Sequence, residues 1–205
     1  MSTNPLQPLN SLGPMPPQAN DGAGSDDSPA RKDYLEARKF MDKGEYVQAA
    51  MAFHNALRGF EEQGDRIGVA NASDRLGDAC LAREEYAMAM ANFERAHVIC
   101  VEEEDSFSQL SLNKKMVHCC RKLGQQDRAL ALLDDMLEHY QLNRNPKGAV
   151  ETLEILADVY MEQGENLKAA DAYRSAAGIH AHFKHARRAE ELRQRAQEVE
   201  QGQER

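Results

Sequence analysis

Alanines stand at Ala49, Ala89, Ala129 and Ala169, a step of 40 residues each time. Four positions further on, the bulky residues Phe53, Phe93, Leu133 and Tyr173 keep that step, and so do Ala56, Ala96, Met136 and Ala176. Upstream, Phe40, Cys80, Cys120 and Tyr160 complete the register. A fixed period of this size marks a stacked repeat, in which no unit can bury its apolar face alone and neighbours must supply the rest of the core. Such a chain is expected to be a binding surface more than a reaction vessel.

The residues between the registers are helix formers. Ala, Leu, Glu, Met, Arg and Gln dominate, Trp is absent and Thr occurs twice. Each unit reads as helix, tight turn, helix. Gly44, Gly124 and Gly164 fall between the two helices, where a left-handed residue is needed, and the second unit has Glu84 there at a strain of about 1 kcal/mol. Ser28-Pro29, Asp65, Asp105-Ser106 and Asn145-Pro146 are helix starts. First helices are expected at 29–43, 66–82, 107–123 and 146–163, second helices at 46–63, 86–103, 126–142 and 166–182. A last helix over 186–201 departs from the repeat. It has one narrow apolar stripe (Ala186, Ala189, Leu192, Ala196, Val199) and a charged remainder, which suits a terminal cap. The expected architecture is all-α: a right-handed α-solenoid of four helix-turn-helix units (29–65, 66–105, 106–145, 146–184) plus a C-terminal capping helix.

Residues 1–28 are of another composition. Six of the seven prolines lie in the first 29 residues, among Asn, Ser, Gly and Asp, so this stretch is expected to be a disordered tail. Pro14-Met15-Pro16-Pro17 has PxxP spacing, a docking motif or a plain tether. The start of the chain shows neither a basic region nor an apolar run of signal-peptide type, and no stretch has transmembrane length. A formal net charge of −9 argues against nucleic-acid and anionic-membrane partners. The cysteines Cys80, Cys100, Cys119 and Cys120 form no zinc-ligand spacing, and Cys80 and Cys120 occupy core positions of the repeat. A redox role for the Cys119–Cys120 pair stays open. A cytoplasmic location is expected.

In these registers the chain resembles the tetratricopeptide repeat (TPR) family, whose motif pairs Leu-Gly and an aromatic on the first helix with Ala, an aromatic and Ala on the second. The second unit carries Leu76-Gly77, Cys80, Ala89, Phe93 and Ala96; the fourth carries Leu156-Ala157, Tyr160, Ala169, Tyr173 and Ala176. The first keeps Ala37, Phe40, Ala49, Phe53 and Ala56, and the third is the most divergent, with Met116-Val117, Cys120, Ala129, Leu133 and Met136. The long period and the junction Gly64-Asp65-Arg66 are similar to the long-repeat branch: Leu-Gly-Asn repeat proteins, kinesin light chains and bacterial peptide-sensing regulators.

The resemblance implies a concave groove lined by the first helices. Its stripe would be Arg31, Tyr34, Arg38 and Met41; Asn71, Asp74, Asp78 and Leu81; Ser111, Lys114, His118 and Arg121; Glu151, Glu154, Asp158 and Met161. Across helices one row reads Arg38, Asp78, His118, Asp158 and another Tyr34, Asp74, Lys114, Glu154, with alternating sign. Two readings follow. The row is a self-neutralising ladder between neighbouring helices, or it grips a protein or peptide segment, with Lys114 and Arg121 turned to acidic side chains. The family's Lys/Asn carboxylate clamp for chaperone tails is not matched by Tyr34, Arg38, Asp74 and Asp78, so a heat-shock co-chaperone role is not expected.

Charge is unevenly spread: residues 70–109 carry three basic and nine acidic residues, residues 110–149 seven and four. That asymmetry would also guide weak head-to-tail self-association. The chain has no HExxH, P-loop, GxGxxG, GxSxG or EF-hand pattern, so no enzyme, cofactor or metal is expected. His180, His182 and His185 are read as a polar helix end, with His182 and His185 able to share a face. The expected function is a non-catalytic interaction module or scaffold. The alternatives are a structural subunit using its convex face or ends, and a peptide-sensing regulator.

Overall fold

The computed structural model describes residues 28–202. The expected tail lies outside the described residues, apart from Ser28. All regular structure among the described residues is helical: α1 (Pro29–Asp42), α2 (Tyr46–Gln63), α3 (Arg66–Ala82), α4 (Tyr86–Glu102), α5 (Ser106–Lys122), α6 (Gln126–Leu142), α7 (Pro146–Glu162), α8 (Asn166–His182) and α9 (Ala186–Gly202). Each helix packs chiefly on its neighbours in sequence. The result is a solenoid, with α1, α3, α5, α7 and α9 in one layer and α2, α4, α6 and α8 in the other.

The starts follow from the capping residues. The side chains of Ser28, Asp65, Asp105 and Asn145 accept hydrogen bonds from the backbone N–H of Arg31, Gly68, Ser108 and Gly148. Each satisfies an N–H that the helix itself leaves without a partner.

The turns reveal a finer period than the side chains. Positive φ recurs every 20 residues, at Gly44, Gly64, Glu84, Glu104, Gly124, Arg144, Gly164 and Lys184. The residue after each donates its N–H to the carbonyl five positions back: Glu45 to Phe40, Glu85 to Cys80, Asn145 to Tyr140 and His185 to His180, at 2.8–2.9 Å. This is the Schellman closure, and it occurs between repeats as well as within them. Glu84 is left-handed as expected, with φ 59°, but it is not alone. Glu104 (55°), Arg144 (49°) and Lys184 (60°) take the same strained conformation at turns where no glycine was sought.

The core is a column of small residues beside large ones. Ala49, Ala89, Ala129 and Ala169 are fully buried, as are Phe53, Phe93, Leu133 and Tyr173. Removing such side chains from water contributes about 1.5–3 kcal/mol each for the large ones. The small residues set how closely helices approach. A β-carbon on Gly68 would stand 2.5 Å from the ring of Phe60, and one on Gly148 would stand 2.4 Å from the ring of Tyr140. These are the same junction in two repeats, a large residue ending one unit and a glycine opening the next.

The two ends of the stack differ from its middle. Helix α9 does not depart from the repeat. Ala189 and Leu192 are buried 40 residues after the buried Ala149 and Thr152, so α9 takes the place of a fifth first helix. At the other end, internal first helices bury Ala72, Leu76 and Ala79, or Leu112, Met116 and Cys119, against the preceding repeat. Helix α1 exposes Lys32, Glu36 and Lys39 at those positions. The outward face of α1 is therefore polar in place of core. All four cysteines are free and buried, and burial pushes the Cys100 and Cys119 thiols up to about 11. Protonated thiols of this kind are poor nucleophiles.

Candidate functional site

The first helices run parallel, so residues three, four and seven apart on each make a stripe, and stripes on successive helices form rungs. The rungs are ion pairs, but they are not the rows read from the sequence. Lys115, not Lys114, bridges to α3: its Nζ lies 2.7 Å from Asp74 Oδ1 and 2.7 Å from Asp78 Oδ1, and 5.3 Å from the ring centre of Phe93. Arg75 joins the cluster at 3.3 Å from Asp78. Lys114 turns the other way, to Glu151 on α7 at 3.5 Å. Arg121 also faces α7, donating to Glu162 at 2.6 Å. Between α7 and α9, Arg188 donates to Glu154 at 2.8 Å, and Arg195 lies 3.7 Å from Asp158, which also accepts from the Tyr173 hydroxyl at 2.9 Å.

Tyr34 does not line the groove. Its ring is 8% exposed and packs edge-on against Phe53 and Phe60, with centroids 5.5 and 6.2 Å away. Its hydroxyl interacts with the Arg75 side chain. Arg38, Asn71 and His118 are exposed, and Arg31 is half-buried with its guanidinium 5.9 Å from the Tyr34 ring centre. His118 meets Tyr86 edge-on at 6.1 Å, and burial together with Lys122 and Arg121 holds its pKa below the ordinary value. No ion pair forms between Arg38 and Asp78 among the described residues.

Lys115, Glu162, Arg188 and Arg195 were missed by the row reading. A signal was available for two of them: Arg75, Lys115 and Arg195 share one column of the 40-residue period. Each sits beside the chosen stripe and reaches back to the preceding first helix. The paired residues stand 34, 37 or 41 positions apart and never 40, so no rung joins equivalent positions of two repeats. The electrostatics match this geometry. Burial pushes the Asp78 carboxyl up, and its neighbour Asp74 pushes it further, while Lys115 and Arg75 pull it down. Hydrogen bonding to Glu162 and its charge keep Arg121 firmly protonated. The second-helix layer is laced similarly, by Arg95 with Glu61 and Arg128 with Glu94.

Among the described residues no group of three or more His, Cys, Asp or Glu is placed to hold a metal ion. His180, not His182, approaches His185, with the two Nδ1 atoms 3.3 Å apart. No described helix is long and apolar enough to cross a membrane.

Layering, turns and rungs define a helical-repeat solenoid of the tetratricopeptide type. Solved structures share it. The chain superposes on the nearly identical TPR-like repeats of a Podosopora anserina kinesin light chain with a TM-score of 0.66, at 17% identity over 85% of this chain and 94% of that one. It also superposes on the apo form of RapI with a TM-score of 0.73, at 17% identity over 84% of this chain and 49% of RapI. YrrB, described as a TPR protein with an unusual peptide-binding site, matches with a TM-score of 0.52 at 20% identity, over 83% of this chain and 86% of its own. No family pattern matches the sequence, and no curated protein matches it.

Proposed function

We propose that the chain is a non-catalytic interaction module whose concave first-helix face holds a protein or peptide segment. The observation that carries this reading is the exposure of the rungs. Lys114 and Glu151 are 43% and 48% exposed, and Arg121 and Glu162 are 28% and 38% exposed. Ion pairs this open to water contribute about 0–1 kcal/mol, so a ligand carboxylate can take over a cation at little cost. Arg38, Asn71 and His118 supply further polar groups, and Glu151, Glu154 and Asp158 limit an acidic ligand to the middle of the face. Solved neighbours support the class. YrrB has a peptide-binding site, and a Rap protein has been solved in complex with Competence and Sporulation Factor. The peptide-sensing alternative borrows from proteins about twice as long as the matched stretch, since RapI is covered to 49%.

Affinity capture from the native cell, comparing wild type with Lys114→Glu plus Arg121→Glu, tests the proposal. Loss of partners with an unchanged melting midpoint supports it, and an unchanged partner set sinks it. A second reading, assembly through the convex face, rests on exposed apolar residues of the second helices: Met51 (65%), Met88 (58%) and Val98 (56%). Retained capture after the groove swap, lost with Met51→Lys plus Met88→Lys, would favour it.

A further inference from the structure

Exposed apolar side chains concentrate on one part of the second-helix layer. Of the twelve large ones exposed among the described residues, six lie on α2 and α4: Tyr46, Val47, Met51, Met88, Val98 and Val101. Helices α6 and α8 expose one each, Leu142 and Leu167. The Arg95–Glu61 pair fixes how α2 and α4 lie alongside each other. Val47 stands fourteen residues before Glu61 and Met88 seven before Arg95, four and two turns back along the same sides, so both line the seam between the helices. Met51 lies between them in level, and the small exposed Ala87 and Ala91 keep the α4 side low. Each end of this apolar seam carries an exposed acid with no ion pair among the described residues, Glu84 just before α4 and Glu62 near the end of α2. Glu84 is eleven residues before Arg95 and so level with residue 50 of α2, twelve residues or about 18 Å from Glu62.

The outward face of α1 has the opposite sign. A shallow hollow of about 380 Å³ is lined by Lys32, Leu35, Glu36, Lys39, Phe40 and Lys43. Leu35 is 40% exposed, Phe40 is half-buried, and the aliphatic stems of the lysines lie beside them. Lys32 and Lys43 are eleven residues apart, three turns along one face and about 16 Å. This is a basic helix face with an apolar centre, and its lysines span the distance between the acidic ends of the seam.

We infer that the outward face of α1 in one copy of the chain docks on the α2–α4 seam of a second copy. The inference rests on the convex-face reading and names what covers that face. Charge selects this occupant, because lysines at both ends of an apolar helix face meet Glu84 and Glu62 at both ends of an apolar seam. Contact within one chain is ruled out by the packing: Ala30, Tyr34 and Ala37 bury the opposite side of α1, so the lysine face turns away from α2. The two surfaces differ, so every docked copy leaves one of each kind open, and copies add in a row or close into a ring. Neither surface includes the groove. The net charge of −9 on each copy opposes close approach, so association is weak and depends on the local match.

Sedimentation velocity of the full chain over about 10–500 µM tests this. The weight-average mass should rise with concentration. Lys32→Glu plus Lys43→Glu should hold the chain at the monomer mass, and so should Glu62→Lys plus Glu84→Lys. An equimolar mixture of the two variants should regain the rise, because each then finds the opposite charge on the other. That rescue also shows that both variants are folded. A wild-type chain that stays monomeric throughout overturns the inference and leaves the convex face to a foreign partner, which capture from the native cell reads separately. Association that persists in both variants overturns it, as does a mixture no heavier than its components.

Discussion

Gly77 on α3 lies under the ring of Phe93 on α4, so close that a β-carbon would stand 2.4 Å from Cε1. The third repeat meets the same constraint in reverse, with Val117 and Leu133 at the equivalent positions. Gly77→Ala should therefore destabilise the protein by about 1–3 kcal/mol through overpacking. Adding Phe93→Leu should recover part of that loss, whereas Phe93→Leu alone should cost stability. A double-mutant cycle from denaturant midpoints measures the coupling, and additivity of the two changes would refute the contact.

The strained turns give a second test. Replacing Glu84, Glu104, Arg144 and Lys184 by Gly relieves an unfavourable φ at each, by about 1 kcal/mol, partly offset by the greater freedom of glycine in the unfolded chain. The fourfold variant should melt above wild type by calorimetry. An unchanged or lower midpoint would show that these turns carry no strain.

A cluster of two carboxylates around one ammonium predicts an asymmetry. Lys115→Met leaves Asp74 and Asp78 facing each other without their shared partner and should cost about 1–3 kcal/mol at neutral pH. Burial and Asp74 already raise the Asp78 pKa. Its protonated form is therefore favoured in the folded state, and removing Lys115 raises that pKa further. The deficit should shrink as the pH falls through the carboxylate range, when the folded protein binds a proton before the unfolded chain does. A deficit independent of pH would locate the loss in packing against Phe93 instead.

His97 sets the opposite trend. Burial lowers its pKa from the ordinary 6.5, while Asp135 and a hydrogen bond with Asn113 oppose this. A base held neutral in the fold contributes stability above the unfolded pKa. That contribution is lost as the pH drops below about 6.5 toward the folded value. His97→Gln should flatten the fall in melting midpoint between pH 7 and 5. His118 and His180 shift in the same direction, so the slope should fall without vanishing.

The repeat was legible because the core reads only residue size at a fixed step: Ala, then a large side chain, then Ala. Helix starts were legible because Ser28, Asp65, Asp105 and Asn145 are good caps. The inter-repeat turns were not, since Glu104, Arg144 and Lys184 accept left-handed φ for the sake of backbone hydrogen bonds that no side chain advertises. The rungs were legible as charge and not as pairing. Lys114 and Lys115 are chemically equivalent in sequence, and only their places around the helix, about 100° apart, decide which of them looks toward α3. Tyr34 shows the same limit, because a stripe counted at helical spacing cannot tell a groove wall from the ring behind it.

Among the described residues the first-helix layer has five members, α9 included, and the second-helix layer four, so the two layers differ in extent. Parallel helices about 10 Å apart make a first-helix track of about 40 Å from α1 to α9, against about 30 Å for the second layer. An extended peptide advances about 3.3 Å per residue, so the five described first helices span about 12 residues of it. Affinity measured against peptides of increasing length should therefore plateau at about a dozen residues. The number of first helices would then serve as a ruler for what lies along them.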